Sequence, residues 1–266
     1  MVFKGPLKKM QVFLQNPVKY SLEIGDDLLY VNDQIGKEWY FEYGQKTHCF
    51  CGKEVHKVFR QNFCYDCFYR KPEAGDFILR PELSKAHLGI EDRDLEWEKN
   101  YQLKPHIVYL ADSGGLKVGV TRKEQMPTRW IDQGASSAII LAETPNRYLA
   151  GELEVALKAH LSDKTVVKKM LGNSLFQLDL AEEKKRVLKL IPENLVKYVS
   201  DKMTEPLQIS YPRPDGFEHQ KSISLEKEPT FKAKLIGIRG QYLLFEHGRA
   251  MNVRSQSGKI VYLDIQ

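Results

Sequence analysis

The chain opens on short runs of β-forming residues, QVFL, KYSLEI, DLLYVN and EWYFEY, separated by the turn signals NP, GDD and IGK. Runs of this length bounded by turn residues predict a β-rich module over residues 1–45. A charged segment over 71–102, containing PELSKAHLGIEDRDLEWEKN, has no clean period and reads as a connector packed on its neighbours. The pattern sharpens at His106. There IVYLA and LKVGV flank DSGG as strand, turn and strand. If Ser113 to Gly115 form a three-residue loop with Gly115 in the left-handed conformation, Tyr109 lies opposite Gly119 and Ala111 opposite Lys117. Tyr109 and Lys117 then share a face, whereas a two-residue turn would place them on opposite faces.

Pro127 suits the first turn of a short helix, TRWIDQ, that carries Arg129 and stops at Gly134. SAIILAE predicts a buried strand. Asn146 is the expected N-cap of the following helix, RYLAGELEVALKAHL. On that helix Glu154 follows Ala150 and Gly151 by one turn and precedes Leu157, so its carboxylate emerges from a small and apolar face, with Glu152 the more exposed acid. Beyond Thr165 the chain turns basic and helical, in VVKKML and LAEEKKRVLKLIPENLVKYVSDKM. After Pro206, short strands with Gly turns predict a small barrel or curled sheet. Its Arg239, Arg249, Arg254 and Tyr242 read either as a nucleic-acid surface or as a solvated rim.

The expected class is α+β. The expected units are the β-rich module at 1–45, a zinc ribbon at 46–72, a connector at 73–104, and a central three-stranded sheet with flanking helices at 105–172. A helical linker at 173–204 and a small β-barrel-like domain at 205–266 follow.

Composition adds little to this class: 42% hydrophobic and 28% charged residues describe an ordinary globular chain rather than a disordered one. A net charge of +5 favours a polyanionic partner, nucleic acid or an acidic membrane surface, although solvated Lys and Arg account for it as well. No apolar run reaches bilayer length, and the start, MVFKGPLKKMQVFL, lacks a secretory core, so a cytoplasmic protein without a membrane partner is expected. Oligomeric state is not readable from the sequence.

The four cysteines, Cys49, Cys51, Cys64 and Cys67, fall in one short interval. A C-x-C pair and a C-x2-C pair on either side of a short hairpin point to one tetrahedral zinc site, with two disulfides as the alternative. Gly52 suits the tight turn after the first pair, although that pair is one residue shorter than the usual C-x2-C. His48 and His56 read as surface imidazoles, either of which could replace a cysteine that fails to reach. Such a closed site stabilises a region too small to build its own core.

Between His106 and Leu161 the chain gathers the groups that metal-assisted phosphodiester cleavage needs: Tyr109 as proton acceptor, Lys117 and Arg129 as phosphate-directed cations, and Glu154 as ligand for a hard cation. Gly119, opposite the Tyr, leaves room for a substrate or a close backbone, and Arg122 is a further substrate-binding candidate. Strand, strand, helix, strand and helix in this order resemble the GIY-YIG nuclease fold over about residues 106–159. In that family the first motif's Tyr, the second motif's Tyr or Lys, a helix Arg and a later Glu form the active site. Tyr109, Lys117, Arg129 and Glu154 match those positions, with IVY and KVG in place of the family's usual motifs and a shorter hairpin. The whole chain also resembles an uncharacterised bacterial family that joins a Cys-rich ribbon to segments much like VYLADSGGLKVGVTR and RWIDQGA. Many members of that family carry a second Cys cluster in the region aligned with Phe77 to Glu91. This chain has none there, so a second zinc is not expected.

The resemblance implies a Mg2+-dependent endonuclease acting on DNA or RNA, with Mg2+ on Glu154 and structural zinc on the four cysteines. A zinc-containing nucleic-acid-binding protein without turnover, and a protein-interaction scaffold, are the alternatives.

Overall fold

The computed structural model describes residues 1–161, 166–172 and 178–266. Stretches 162–165 and 173–177, part of the expected central unit and helical linker, lie outside the described residues. The predicted N-terminal strands form, but they divide between two sheets. β2 (Gln11–Phe13), β3 (Lys19–Ile24) and β4 (Asp27–Tyr30) make a three-stranded antiparallel meander, while β1 (Val2–Pro6) and β5 (Glu38–His48) leave it. The short strand β6 (Glu54–Val55) folds back on the end of β5, and α1 (Tyr65–Arg70) starts inside the second cysteine pair, with Cys64 just before it and Cys67 within it. The connector is a series of 3-10 turns ending in α2 (Leu95–Gln102), which is capped by Asp94 through its bond from the Trp97 amide.

The central unit runs β7 (His106–Asp112), β8 (Leu116–Arg122), α3 (Thr128–Asp132), β9 (Ser137–Thr144) and α4 (Arg147–Lys158). Asn146 caps α4 by accepting from the Leu149 amide at 3.0 Å, as its position before the helix predicts. Beyond it lie α5 (Val167–Leu171) and α6 (Leu180–Leu188), which ends before Pro192. The remaining strands are β10 (Leu207–Gln208), β11 (Lys221–Ile223), β12 (Thr230–Arg239), β13 (Tyr242–Phe245), β14 (Arg249–Asn252) and β15 (Lys259–Ile265).

The expected C-terminal barrel does not close. Its strands join the open sheet β1-β15-β5-β12-β13-β14-β11, in which β5 lies between β15 and β12. The reason lies in β5 itself: Trp39 and Phe41 are fully buried, and Phe41 stacks on Phe231 of β12 at 5.0 Å. That contact holds β12 along one edge of β5, and β15 pairs along the other, which leaves β5 in the interior of the sheet.

The second sheet has the order β10-β9-β7-β8. Every residue of β7 is buried, because the two faces of the strand pack against different things. Val108 and Leu110 point into a core made with α4 and α6. Ile107, Tyr109 and Ala111 join the large core shared with the other two sheets. The four residues Asp132 to Ala135 are where this sheet docks. Gln241 Nε2 donates to Asp132 Oδ1 at 2.8 Å, Arg239 Nε donates to the Gly134 carbonyl at 3.0 Å, and Tyr211 Oη donates to the Ala135 carbonyl at 2.8 Å. Arg239 is therefore buried, which removes it from the expected nucleic-acid surface. Arg249 is paired with Glu228 and lies over the Phe231 ring. No helix among the described residues is long and apolar enough to cross a membrane.

Candidate phosphate groove and metal centre

The β7–β8 hairpin has the register that a three-residue loop predicts: Tyr109 pairs with Gly119 and Ala111 with Lys117. Gly114 and Gly115 both take positive φ, +77° and +149°, and both amides donate to Asp112 Oδ1, at 3.1 and 3.2 Å. A side chain at Gly114 would strike the backbone of Met170 at 2.5 Å, so the loop is also a packing site for α5.

Along β8, the edge strand of its sheet, runs a groove of about 460 Å³. Lys117, Gly119 and Arg122 form its floor, Arg129 and Gln133 enter from α3, and Arg147, Glu154 and Lys158 enter from α4. Lys9 and Arg254 approach from the large sheet's side. The connector supplies the facing wall through Ile78, Leu79, Pro81 and Tyr101. That wall sits directly on α4 at Gly151, where a Cβ would lie 2.2 Å from the Glu82 amide nitrogen. Arg147 fastens it by donating from Nε to the Phe77 carbonyl at 2.9 Å and from Nη2 to the Ile78 carbonyl at 2.7 Å. The guanidinium of Arg122 lies 4.7 Å from the Tyr101 ring centre, and that of Arg147 lies 5.4 Å from it. Cations outnumber acids here. Among the described residues that line it, Asp132, paired with Lys9 at 3.0 Å, and Glu154, paired with Lys158 at 3.5 Å, are the acids that oppose them.

Of the sequence-predicted residues, Lys117, Gly119, Arg122, Arg129 and Glu154 line this one groove. Tyr109 lies beneath it and is fully buried, because its face of β7 belongs to the large shared core. Its hydroxyl donates to Gln133 Oε1 at 2.8 Å, and its ring tilts against Trp130 at 5.8 Å. Burial pushes the phenol up to about 12; the nearby Arg129 charge draws it down and the Glu154 charge raises it. Arg129 is thus one cation that favours the phenolate. Burial also raises the Glu154 carboxyl, against the lowering effect of Lys158 and Arg147.

Lys9, Tyr101, Gln133, Arg147 and Lys158 of the groove were missed in the sequence, and Arg254, which the sequence had placed with the C-terminal strands' candidate surface, lines it as well. Arg147 left one signal: a cation at the first position of a helix opposes the helix dipole, which calls for a separate reason. Its two carbonyl partners in the connector are that reason.

In the ribbon, the sulfurs of Cys49, Cys51, Cys64 and Cys67 all lie within 4.8 Å of one another, and none is in a disulfide. The Cys64 amide donates to Cys49 Sγ at 3.1 Å, and Gly52, at φ +82°, closes the first turn with its amide on the Cys49 carbonyl. Hydrogen bonding to the Lys53 backbone draws the Cys51 thiol down to about 7, whereas burial pushes Cys67 up to about 12. Four converging thiols, one already facing a backbone donor, fit a tetrahedral zinc ion. His48 lies 4.0 Å from Glu54 and stands outside the sulfur cluster.

Fold and sites together define a mixed α+β protein of several sheets, with a four-cysteine cluster able to hold zinc and a cation-lined groove on an edge strand. Residues 36–261 match the model of the family described as "Protein of unknown function (DUF2797)", and the chain belongs to that family. No curated protein and no solved structure matches the chain significantly.

Proposed function

We propose that the groove along β8 is a phosphodiester-directed site of GIY-YIG type, which grips a nucleic-acid backbone and hydrolyses it with a hydrated divalent cation on Glu154. One observation carries this reading: Gly119, Arg129 and Glu154, from β8, α3 and α4, meet in a single cation-rich groove above Tyr109. The strand order β9-β7-β8, with α3 before β9 and α4 after it, supports the same reading.

Arg129 holds the phosphate through its planar fork, and Arg122 and Lys117 extend the phosphate contacts along the strand. Glu154 fits a cation such as Mg2+, which commonly binds through one carboxylate and retains waters, because the buried carboxylate gains from an added positive charge. When bound, the ion would neutralise charge on the phosphoryl oxygens. Tyr109 would act as the base only after giving its own proton up to solvent; its phenolate, which the Arg129 charge favours, would then take the proton of the attacking water.

A second reading, binding without turnover, is favoured by the same phenol: fully buried and held near 12, it is a poor base at neutral pH. Oligonucleotide binding and Mg2+-dependent nicking separate the readings. Nicking lost in Glu154→Ala with binding kept supports hydrolysis. Salt-sensitive binding with no nicking of DNA or RNA supports the second reading. Absence of salt-sensitive binding to either polymer defeats both, leaving an interaction scaffold.

A further inference from the structure

The ribbon carries a feature that zinc binding does not use. Tyr65 and Tyr69 stand one turn apart on the same face of α1, with ring centres 4.8 Å apart. Phe59, from the hairpin before the second cysteine pair, joins them at 5.2 Å from Tyr65 and 5.9 Å from Tyr69. α1 also carries Cys67 and Phe68 into a small buried core with Cys64 and Phe63, and Phe59 and Tyr69 back onto the Phe68 ring at 5.2 and 5.3 Å while their outer sides stay open. The outer rings remain open: Phe59 is 43% exposed, Tyr65 63% and Tyr69 54%. The Arg60 guanidinium lies over Phe59 at 5.7 Å and over Phe68 at 5.8 Å. Lys53, Lys57, Arg70 and Lys71 flank the patch in sequence, against the acids Glu54 and Asp66.

We infer that Phe59, Tyr65 and Tyr69 form a stacking platform for the bases of a single-stranded nucleic acid, with Arg60 and the neighbouring lysines holding its phosphates. Aromatic rings that are about half exposed stack with any base, and Arg60 together with the cations nearby in sequence matches a phosphate backbone. Duplex bases, stacked on one another, cannot use such faces, so the platform selects single strands. A protein partner would also cover apolar rings, but the excess of cations around them matches a polyanion. The platform lies on the ribbon and does not depend on the groove being a hydrolase. Arg93 joins the ribbon to the connector by donating to the Phe68 and Lys71 carbonyls, at 2.6 and 2.7 Å, and the connector in turn walls the groove.

The test uses the full chain loaded with zinc, in fluorescence anisotropy titrations with labelled oligo-dT, oligo-rU and a duplex of equal length. Tyr65→Ala with Tyr69→Ala is expected to weaken single-strand binding about tenfold or more. Duplex binding and the zinc-to-protein ratio are expected to stay unchanged. Tyr65→Phe with Tyr69→Phe retains the rings and is expected to bind as the parent does. Arg129→Ala addresses the groove separately: if it weakens binding while the Ala pair does not, the platform fails and the groove reading stands. Equal loss on duplex and single strand in the Ala pair would also overturn the proposal. So would a parent dimer in sedimentation that the Ala pair converts to monomer, since the rings would then face a second copy.

Discussion

Tyr109 and Gly119 face each other across the β7–β8 hairpin, and the phenol fills the space that a side chain at 119 would need: a Cβ there would lie 2.6 Å from the Tyr109 hydroxyl oxygen and 2.7 Å from Cζ. Because Tyr109 is fully buried, the ring cannot swing away as a surface side chain would. Gly119→Ala is therefore expected to destabilise the protein by about 1–3 kcal/mol, the usual range for overpacking. Denaturant midpoints check this. The penalty should shrink in a Tyr109→Ala background, where the two changes share one space.

Glu154 is a buried carboxylate whose protonated form burial favours, so its charge opposes folding at neutral pH despite Lys158. Glu154→Gln preserves the shape and removes the charge. Its melting temperature at pH 7 is expected to equal or exceed that of the parent, while Mg2+-dependent nicking disappears. A large loss of stability would instead mark the carboxylate as the structural partner of Lys158 and Arg147.

His106 is fully buried, donates from Nδ1 to the Lys104 carbonyl at 2.7 Å, and has no partner for Nε2 among the described residues. Burial lowers its pKa from 6.5 to about 4, helped by the charges of Arg147 and Arg122 and opposed by the Lys104 bond. Between those values the unfolded chain binds a proton that the folded chain refuses. The stabilising contribution of the neutral imidazole is therefore complete above about pH 6.5 and lost as pH falls toward 4, on the order of 3 kcal/mol in all. Urea unfolding from pH 7 to 4 should show this slope, and His106→Gln should flatten it.

Zinc on Cys49, Cys51, Cys64 and Cys67 is expected at one ion per chain, measured by elemental analysis. Cys67→Ser or a strong chelator should remove it. Hydrogen exchange should then rise in residues 46–72 while β7 and β12 stay protected, because the ribbon's own core is confined to Cys49, Phe63, Cys64, Cys67, Phe68 and Ala74. Zinc affinity should fall with acid, since each thiol must lose its proton to bind.

Local chemistry was readable in the sequence wherever a residue's own neighbours decide its state. The hairpin register follows from loop length and from glycines at 114 and 115, the α4 cap from Asn146, and the inward face of Glu154 from a helical repeat with Ala150, Gly151 and Leu157. The cysteine cluster follows from spacing. Pairing between distant strands was not readable, because the apolar alternation of β5 states that the strand has a buried face but not which strands border it. Partners from the far end of the chain turned an expected barrel into one open sheet.

The same limit applies to the groove. The sequence by itself determined which side chains of the central unit share a face, since strand and helix periods fix that. Only the tertiary structure decided that Tyr109's face would be covered by the core of the other sheets, and that the connector would close the groove at Gly151 and Tyr101. Burial, and with it the ionisation of the phenol and the carboxylate, depends on what packs from elsewhere in the chain, and no local pattern carries that information.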